Sequence, residues 1–225
     1  MQVSILTVDR SPNPNYLRQT FERLRLARRR YRTWFNAEIV LGNQGTSHLP
    51  ETIPPWTKLI TPTEAEQQII DDLDFPTKHH AYNYNRILKS SEENLLLLED
   101  DALLSHDFFF DLKKMVSYAH SIGSSFIINL FDSRVHEEGQ PRLEVEPAGG
   151  FGTVAMYFSG QARKAVRDQS YHRYVNHRQV NRGIDIHLRR ECHSQLIPVY
   201  RMSKKIVSHI GTVTTGCQGI PNQVE

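Results

Sequence analysis

Apolar residues in this chain fall into short β-branched runs, separated by stretches where they recur every three or four positions. Val3, Ile5, Leu6 and Val8 form the first run, which stops at Asp9-Arg10-Ser11-Pro12-Asn13-Pro14-Asn15, a dense set of turn formers. Leu17, Phe21, Leu24 and Ala27 then keep helical spacing and predict a helix over 15–30. Residues 37–41 read as a second strand, closed by Gly42-Asn43-Gln44-Gly45. Pro50, Pro54, Pro55 and Pro62 mark a long connection, and Thr63-Glu64-Ala65-Glu66 has the spacing of a capping box that starts a helix. A helix over 78–90 leads into Leu95-Leu96-Leu97-Leu98. Four consecutive leucines leave no polar face, which is the pattern of a strand covered on both sides.

The second half continues the alternation. A helix is predicted over 106–120, a strand over 126–130, a glycine-rich turn over 148–152 and a strand over 154–158. Ser159 caps a helix through 166. A loop over 171–182, a helix over 185–191 and a strand over 196–200 follow, and residues 211–225 read as a mobile lid or as disorder. Strands alternating with helices predict an α/β sandwich, a single Rossmann-like domain over 1–225 with a mostly parallel central sheet. No internal repeat and no shift in composition divides it.

Composition narrows the function classes. Of the 225 residues, 39% are hydrophobic and 23% charged, and the net charge is only +2, so no bulk field marks a nucleic-acid binder. The helix over 15–30 does carry Arg18, Arg23, Arg25, Arg28, Arg29 and Arg30. A solvated helix face is the favoured reading of these arginines, and a phosphate patch the alternative. Cys192 and Cys217 are too few for a disulfide framework and lack zinc-type spacing. No apolar run approaches the ~20 residues that cross a bilayer, and 3–8 is no signal-peptide core. A soluble, reduced, cytoplasmic protein is the expectation.

Candidate chemistry concentrates at Glu99-Asp100-Asp101, where the leucine strand leaves the sheet. Ligands of open α/β sheets bind outside the carboxyl ends of strands. Three adjacent carboxylates repel one another, and a hard divalent cation with oxygen ligands relieves that cost. Oxygen ligation favours Mg2+ or Mn2+ over zinc.

The triplet after a hydrophobic strand resembles the Asp-X-Asp-type motif of GT-A glycosyltransferases, in the Glu-Asp-Asp form of the N-acetylglucosaminyltransferases. Thr7-Val8-Asp9-Arg10 with Tyr16-Leu17 and Thr20 resembles the opening of the N-acetylglucosaminyltransferase IV group. So does Pro76-Thr77-Lys78 with Tyr82-Asn83 before the acidic motif. Ser208-His209-Ile210-Gly211-Thr212, trailed by Thr214 and Thr215, is similar to the His-Ile-Gly segment near the end of that catalytic domain.

That resemblance implies a metal-dependent transfer from a nucleotide sugar, a UDP-sugar, to a hydroxyl of a glycan acceptor. Residues 1–101 would form the nucleotide-binding half and 102–225 the acceptor side. Asp101 and His209 would hold Mn2+ or Mg2+, while Asp100 and Glu99 would accept hydrogen bonds from ribose or sugar hydroxyls. Thr7, Arg10 and Lys78 are candidates for the base and phosphates, and Gly149 and Gly150 for close approach to the donor sugar. An inverting transfer needs a base for the acceptor hydroxyl. Asp185 in Gly183-Ile184-Asp185-Ile186-His187 is the candidate, with His187 and Asp132 next. The compact free-standing GT-A domains of bacteria and large viruses are the better match, since a Golgi stem and anchor are lacking. Two other classes compete: a nucleotidyltransferase making nucleotide sugars, and a nucleic-acid-binding domain built on the arginine helix. Ser11-Pro12-Asn13-Pro14 is not the glycine-rich loop the former would open with, and the latter would bind with a steep salt dependence.

Overall fold

The computed structural model of the chain describes residues 1–7, 16–31, 36–41, 49, 53–73, 78–131, 142–145, 154–167 and 184–210. Within them, ten strands and six helices alternate: β1 (Gln2–Thr7), α1 (Tyr16–Tyr31), β2 (Asn36–Leu41), β3 (Thr57–Ile60), α2 (Glu64–Asp71), α3 (Lys78–Lys89), β4 (Leu95–Glu99), β5 (Ala102–Leu104), α4 (Phe108–Ile122), β6 (Ile127–Asn129), β7 (Leu143–Val145), β8 (Ala155–Phe158), α5 (Gly160–Val166), α6 (Ile184–Ser194), β9 (Val199–Met202) and β10 (Val207–His209). Eight strands form one sheet in the order β3-β2-β1-β4-β8-β6-β9-β7, and β5 pairs with β10 in a separate ribbon. Only β8 and β7 run against the other six, so the large sheet is mostly parallel.

The leucine run behaves as its pattern demands. Leu95 to Leu98 are all fully buried, and side chains alternate across a strand. Leu96 and Leu98 join Phe21, Leu24, Phe108, Leu112 and Met115 under α1 and α4. Leu95 and Leu97 join Tyr84, Ile87, Leu88, Ala162 and Leu188 under α3, α5 and α6. Each leucine removed from water on this scale contributes roughly 1.5–3 kcal/mol, so β4 is the seam between two cores.

The capping box is present at α2. The Thr63 backbone N–H donates to Glu66 Oε2 at 2.8 Å, and the Glu66 N–H donates to Thr63 Oγ1 at 3.3 Å. Burial pushes the Glu66 carboxyl up, but the Thr63 bonds and the Arg86 charge outweigh it and hold the group below its ordinary value. A carboxyl lowered by folding contributes above its unfolded titration and loses that contribution as pH falls through the folded one. Thr63→Ala is therefore expected to cost about 1 kcal/mol near neutrality, and less in acid, as thermal melts across pH would measure.

Six elements depart from the sequence reading. Strands β3, β5, β7 and β10 are three or four residues long, too short to show a period. Helix α4 starts at Phe108 rather than 106, with Asp107 at the N-cap position in a non-helical conformation and without a side-chain capping bond. The late strand begins at Val199 rather than at 196. Helix α6 ends in a Schellman pattern, with Ile197 N donating to Cys192 O at 2.8 Å and Leu196 N to His193 O at 3.2 Å. Leu196 takes the left-handed position usually left to glycine, at φ 55°. The glycine-rich segment, the 171–182 loop and the 211–225 tail lie outside the described residues.

Candidate functional site

Where β4 leaves the sheet, the three acids diverge. Glu99 is the last strand residue, paired in register with Leu6, and its N–H donates to Val154 O at 2.8 Å. The period-2 alternation puts it on the same face as Leu95 and Leu97, the side where Tyr84 lies. Asp100 is buried and its Oδ2 accepts the Thr7 hydroxyl at 2.7 Å. Asp101, also buried, turns the other way and its Oδ2 lies 3.0 Å from His209 Nε2.

The turn is held from three sides. Thr20, on the buried stripe of α1, directs its hydroxyl at Asp100 O (2.7 Å) and Ala102 O (3.1 Å). Thr7 holds the Asp100 side chain. The β5–β10 ribbon sets His209 opposite Ala102, and Ile210 N donates to Asp101 O at 3.0 Å. The Phe131 ring packs beside the His209 imidazole, with centroids 5.9 Å apart. Two residues 108 positions apart are thus locked together at the carboxyl edge of the sheet.

Asp185 stands in the first turn of α6, half-buried. Burial raises the Tyr84 phenol well above its ordinary value, and the carboxylates of Glu99 and then Asp185 raise it further. Both acids therefore lie within electrostatic reach of one buried hydroxyl, itself 3.3 Å from Met156 Sδ. His187 is buried on the same helix. Lys78 opens α3, and its amine donates to Asp71 O at 3.1 Å, tying α3 to the end of α2. Arg10, Asp132, Gly149 and Gly150 lie outside the described residues.

Thr20 and Tyr84 acquire no role from sequence reasoning. Thr20 had a signal, as a hydroxyl on an otherwise apolar stripe with Leu17, Phe21 and Leu24. Tyr84 had none, because its neighbours Met156, Glu99 and Asp185 arrive from three separate elements, β8, β4 and α6.

Among the described residues no group of three or more His, Cys, Asp and Glu side chains surrounds a common point. Asp101 and His209 are a pair. Small divalent cations are commonly held by one or two protein groups, with water and substrate phosphates completing the shell. Asp101 Oδ2 and His209 Nε2, in direct contact at 3.0 Å, would supply two such protein groups. The donor set fits such a cation.

No family model and no curated protein sequence matches the chain. Solved structures do match it. The galactosyltransferase LgtC, solved with donor and acceptor sugar analogs, aligns at a TM-score of 0.53 and 11% identity, over 89% of this chain and 73% of LgtC. Residues 1–349 of TarS from S. aureus align at 0.54 and 13% identity, over 92% of this chain and 59% of TarS. The same TarS segment solved with UDP-GlcNAc aligns at 0.53 and 11% identity, over 92% of this chain and 57% of that one. The chain has the GT-A fold of these glycosyltransferases.

Proposed function

We propose that the protein transfers a sugar from a nucleotide sugar, a UDP-sugar, to a hydroxyl of a glycan acceptor, with inversion and with help from Mn2+ or Mg2+. The observation that carries this reading is the pairing of buried Asp101 with half-buried His209, at the carboxyl end of a central parallel strand in a GT-A fold. That edge is where ligands of such sheets bind. The TarS and LgtC complexes with UDP-GlcNAc and with sugar analogs give the reading further support.

The residues divide the work by where they face. Asp101 and His209 would hold the cation, which when bound supplies positive charge to a departing diphosphate. Thr20 and Ile210 keep the Asp101 backbone in place, so the carboxylate does not have to be ordered when the donor arrives. Thr7 keeps Asp100 fixed at the floor of the same turn. On the other face, Asp185 would take the proton of the acceptor hydroxyl as its oxygen bonds to the anomeric carbon. The bond from that carbon to the diphosphate oxygen breaks in the same step, with inversion.

Thermal melts with UDP and UDP-sugars test this, with Mn2+ or with EDTA. UDP is expected to raise the melting temperature clearly only in the presence of the divalent cation, by binding the native state alone. Asp101→Ala should erase that gain while leaving the unliganded protein folded. An equal shift by UDP in excess EDTA would sink the metal assignment.

A further inference from the structure

Glycosyl transfer leaves the outer sides of α1 and α4 unused, and that face combines exposed apolar side chains with unbalanced positive charge. Both helices pack inward on one core, through Phe21 and Leu24 from α1 and Phe108, Leu112 and Met115 from α4. Their outward sides therefore share one face of the domain. On α4, Phe110, Tyr118 and Ile122 are 60%, 54% and 57% exposed, and Leu26 on α1 is 47% exposed. At about 3.6 residues per turn Phe110 and Tyr118 lie about 80° apart and Ile122 about 120° from Phe110, so the three occupy roughly a third of the helix circumference.

Charge on this face is one-signed. Glu22 bonds to Arg25 at 2.7 Å, and Asp107 lies 3.3 Å from Arg30. Asp111 is buried and paired with Lys204 at 3.0 Å. The acids are thus neutralised, while Arg18, Arg29 and Lys113 form no ion pair with the described residues.

We propose that this face docks the protein onto an anionic lipid surface. Phe110, Tyr118 and Ile122 enter the headgroup boundary, and Arg18, Arg29 and Lys113 lie against lipid phosphates. Aromatic and aliphatic residues on one side of a basic helix surface are what interfacial binding uses. A second copy of the chain fits less well, because it would bring like charges together. Nucleic acid would engage the basic side chains and leave Phe110, Tyr118 and Ile122 in water. The inference stands apart from glycosyl transfer.

Co-sedimentation of the full chain with vesicles tests it, using phosphatidylcholine alone and phosphatidylcholine containing phosphatidylserine. Binding is expected only to the anionic vesicles and should weaken as salt rises. Arg29→Glu with Lys113→Glu should weaken it by about tenfold or more, since each basic group near an anionic surface is worth about fivefold. Phe110→Ser with Tyr118→Ser should also weaken it about tenfold or more. Both double variants should keep the wild-type melting temperature and UDP response. Equal binding to neutral vesicles, or no binding to anionic ones, would overturn the proposal. So would self-association in solution that both variants abolish, or tight RNA binding that Phe110→Ser with Tyr118→Ser leaves intact.

Discussion

Asp185→Asn is expected to lower turnover by ~10²–10⁴-fold while UDP-sugar affinity stays near wild type. The substitution keeps the shape of the side chain and removes its basicity. Asp185 opens α6 on the side of the sheet that Glu99 faces, and both carboxylates act on the Tyr84 phenol. On the proposed mechanism Asp185 takes a proton from the incoming hydroxyl, while Asp101 and His209 serve the leaving diphosphate. The first turn of a helix also favours an acid through its dipole, worth about 0.3–1 kcal/mol. A base is distinguishable from that helix role by its readout. Loss of the dipole contact alone would lower the melting temperature by a few degrees and leave turnover intact. NMR of the anomeric proton should show a product of configuration opposite to the donor's. Retention, or near-normal turnover in the variant, would remove Asp185 from the role.

Arg163→Met is expected to destabilise the fold by about 3–5 kcal/mol, a fall of roughly 6–20 °C in melting temperature for a chain of this size. Arg163 is fully buried and spends its guanidinium on acceptors at the end of α3. Nε donates to Leu88 O at 3.0 Å and Nη1 to Glu93 O at 3.0 Å, while Nη2 reaches Ile87 O and Ser90 Oγ. Burial pushes the guanidinium down to about 10, with Glu38 and Glu93 opposing the fall and Arg167 adding to it. The group therefore stays charged at neutral pH. Methionine fills much of the volume but takes the guanidinium from the Leu88 and Glu93 carbonyls, while Ile87 O keeps the Ser90 N–H and hydroxyl and Ser90 Oγ keeps the Gln2 amide. Lysine keeps the charge on one nitrogen and should recover only part of the loss, because it cannot present a planar fork to several carbonyls. The same junction holds the entry to β4: Gly160 N donates to Asn94 Oδ1 at 2.9 Å, and a Cβ on Gly160 would come within 2.5 Å of Glu92 O. Below its melting transition the Arg163→Met protein should still respond to UDP with a divalent cation. A melting temperature within a degree or two of wild type would show that water replaces the guanidinium at little cost.

These two substitutions differ in how far the sequence announces them. Asp185 is visible as an acid opening a late helix. Arg163 reads from sequence as one more cation on a short helix, and only the packing of α5 against the end of α3 makes it a buried staple. The same contrast runs through the site. Glu99-Asp100-Asp101 is legible because its strand is apolar on both faces and the acids end it abruptly.

Features set by local period and local chemistry are readable along the chain. The alternation of strands and helices, the leucine seam, the Thr63 capping box and the Ser159 cap all express forces acting over a few residues. The tertiary structure alone decided the antiparallel direction of β7 and β8, the short pairings of β3, β5, β7 and β10, and the late start of β9. It also decided that Asp100 meets Thr7 and that Glu99 and Asp185 lie near Tyr84, and it brought Asp101 against His209, a pair that only the family resemblance had put together. Those contacts join segments far apart in the chain. Their energy comes from burial and hydrogen bonding once the sheet has formed, and no periodicity within either segment encodes it.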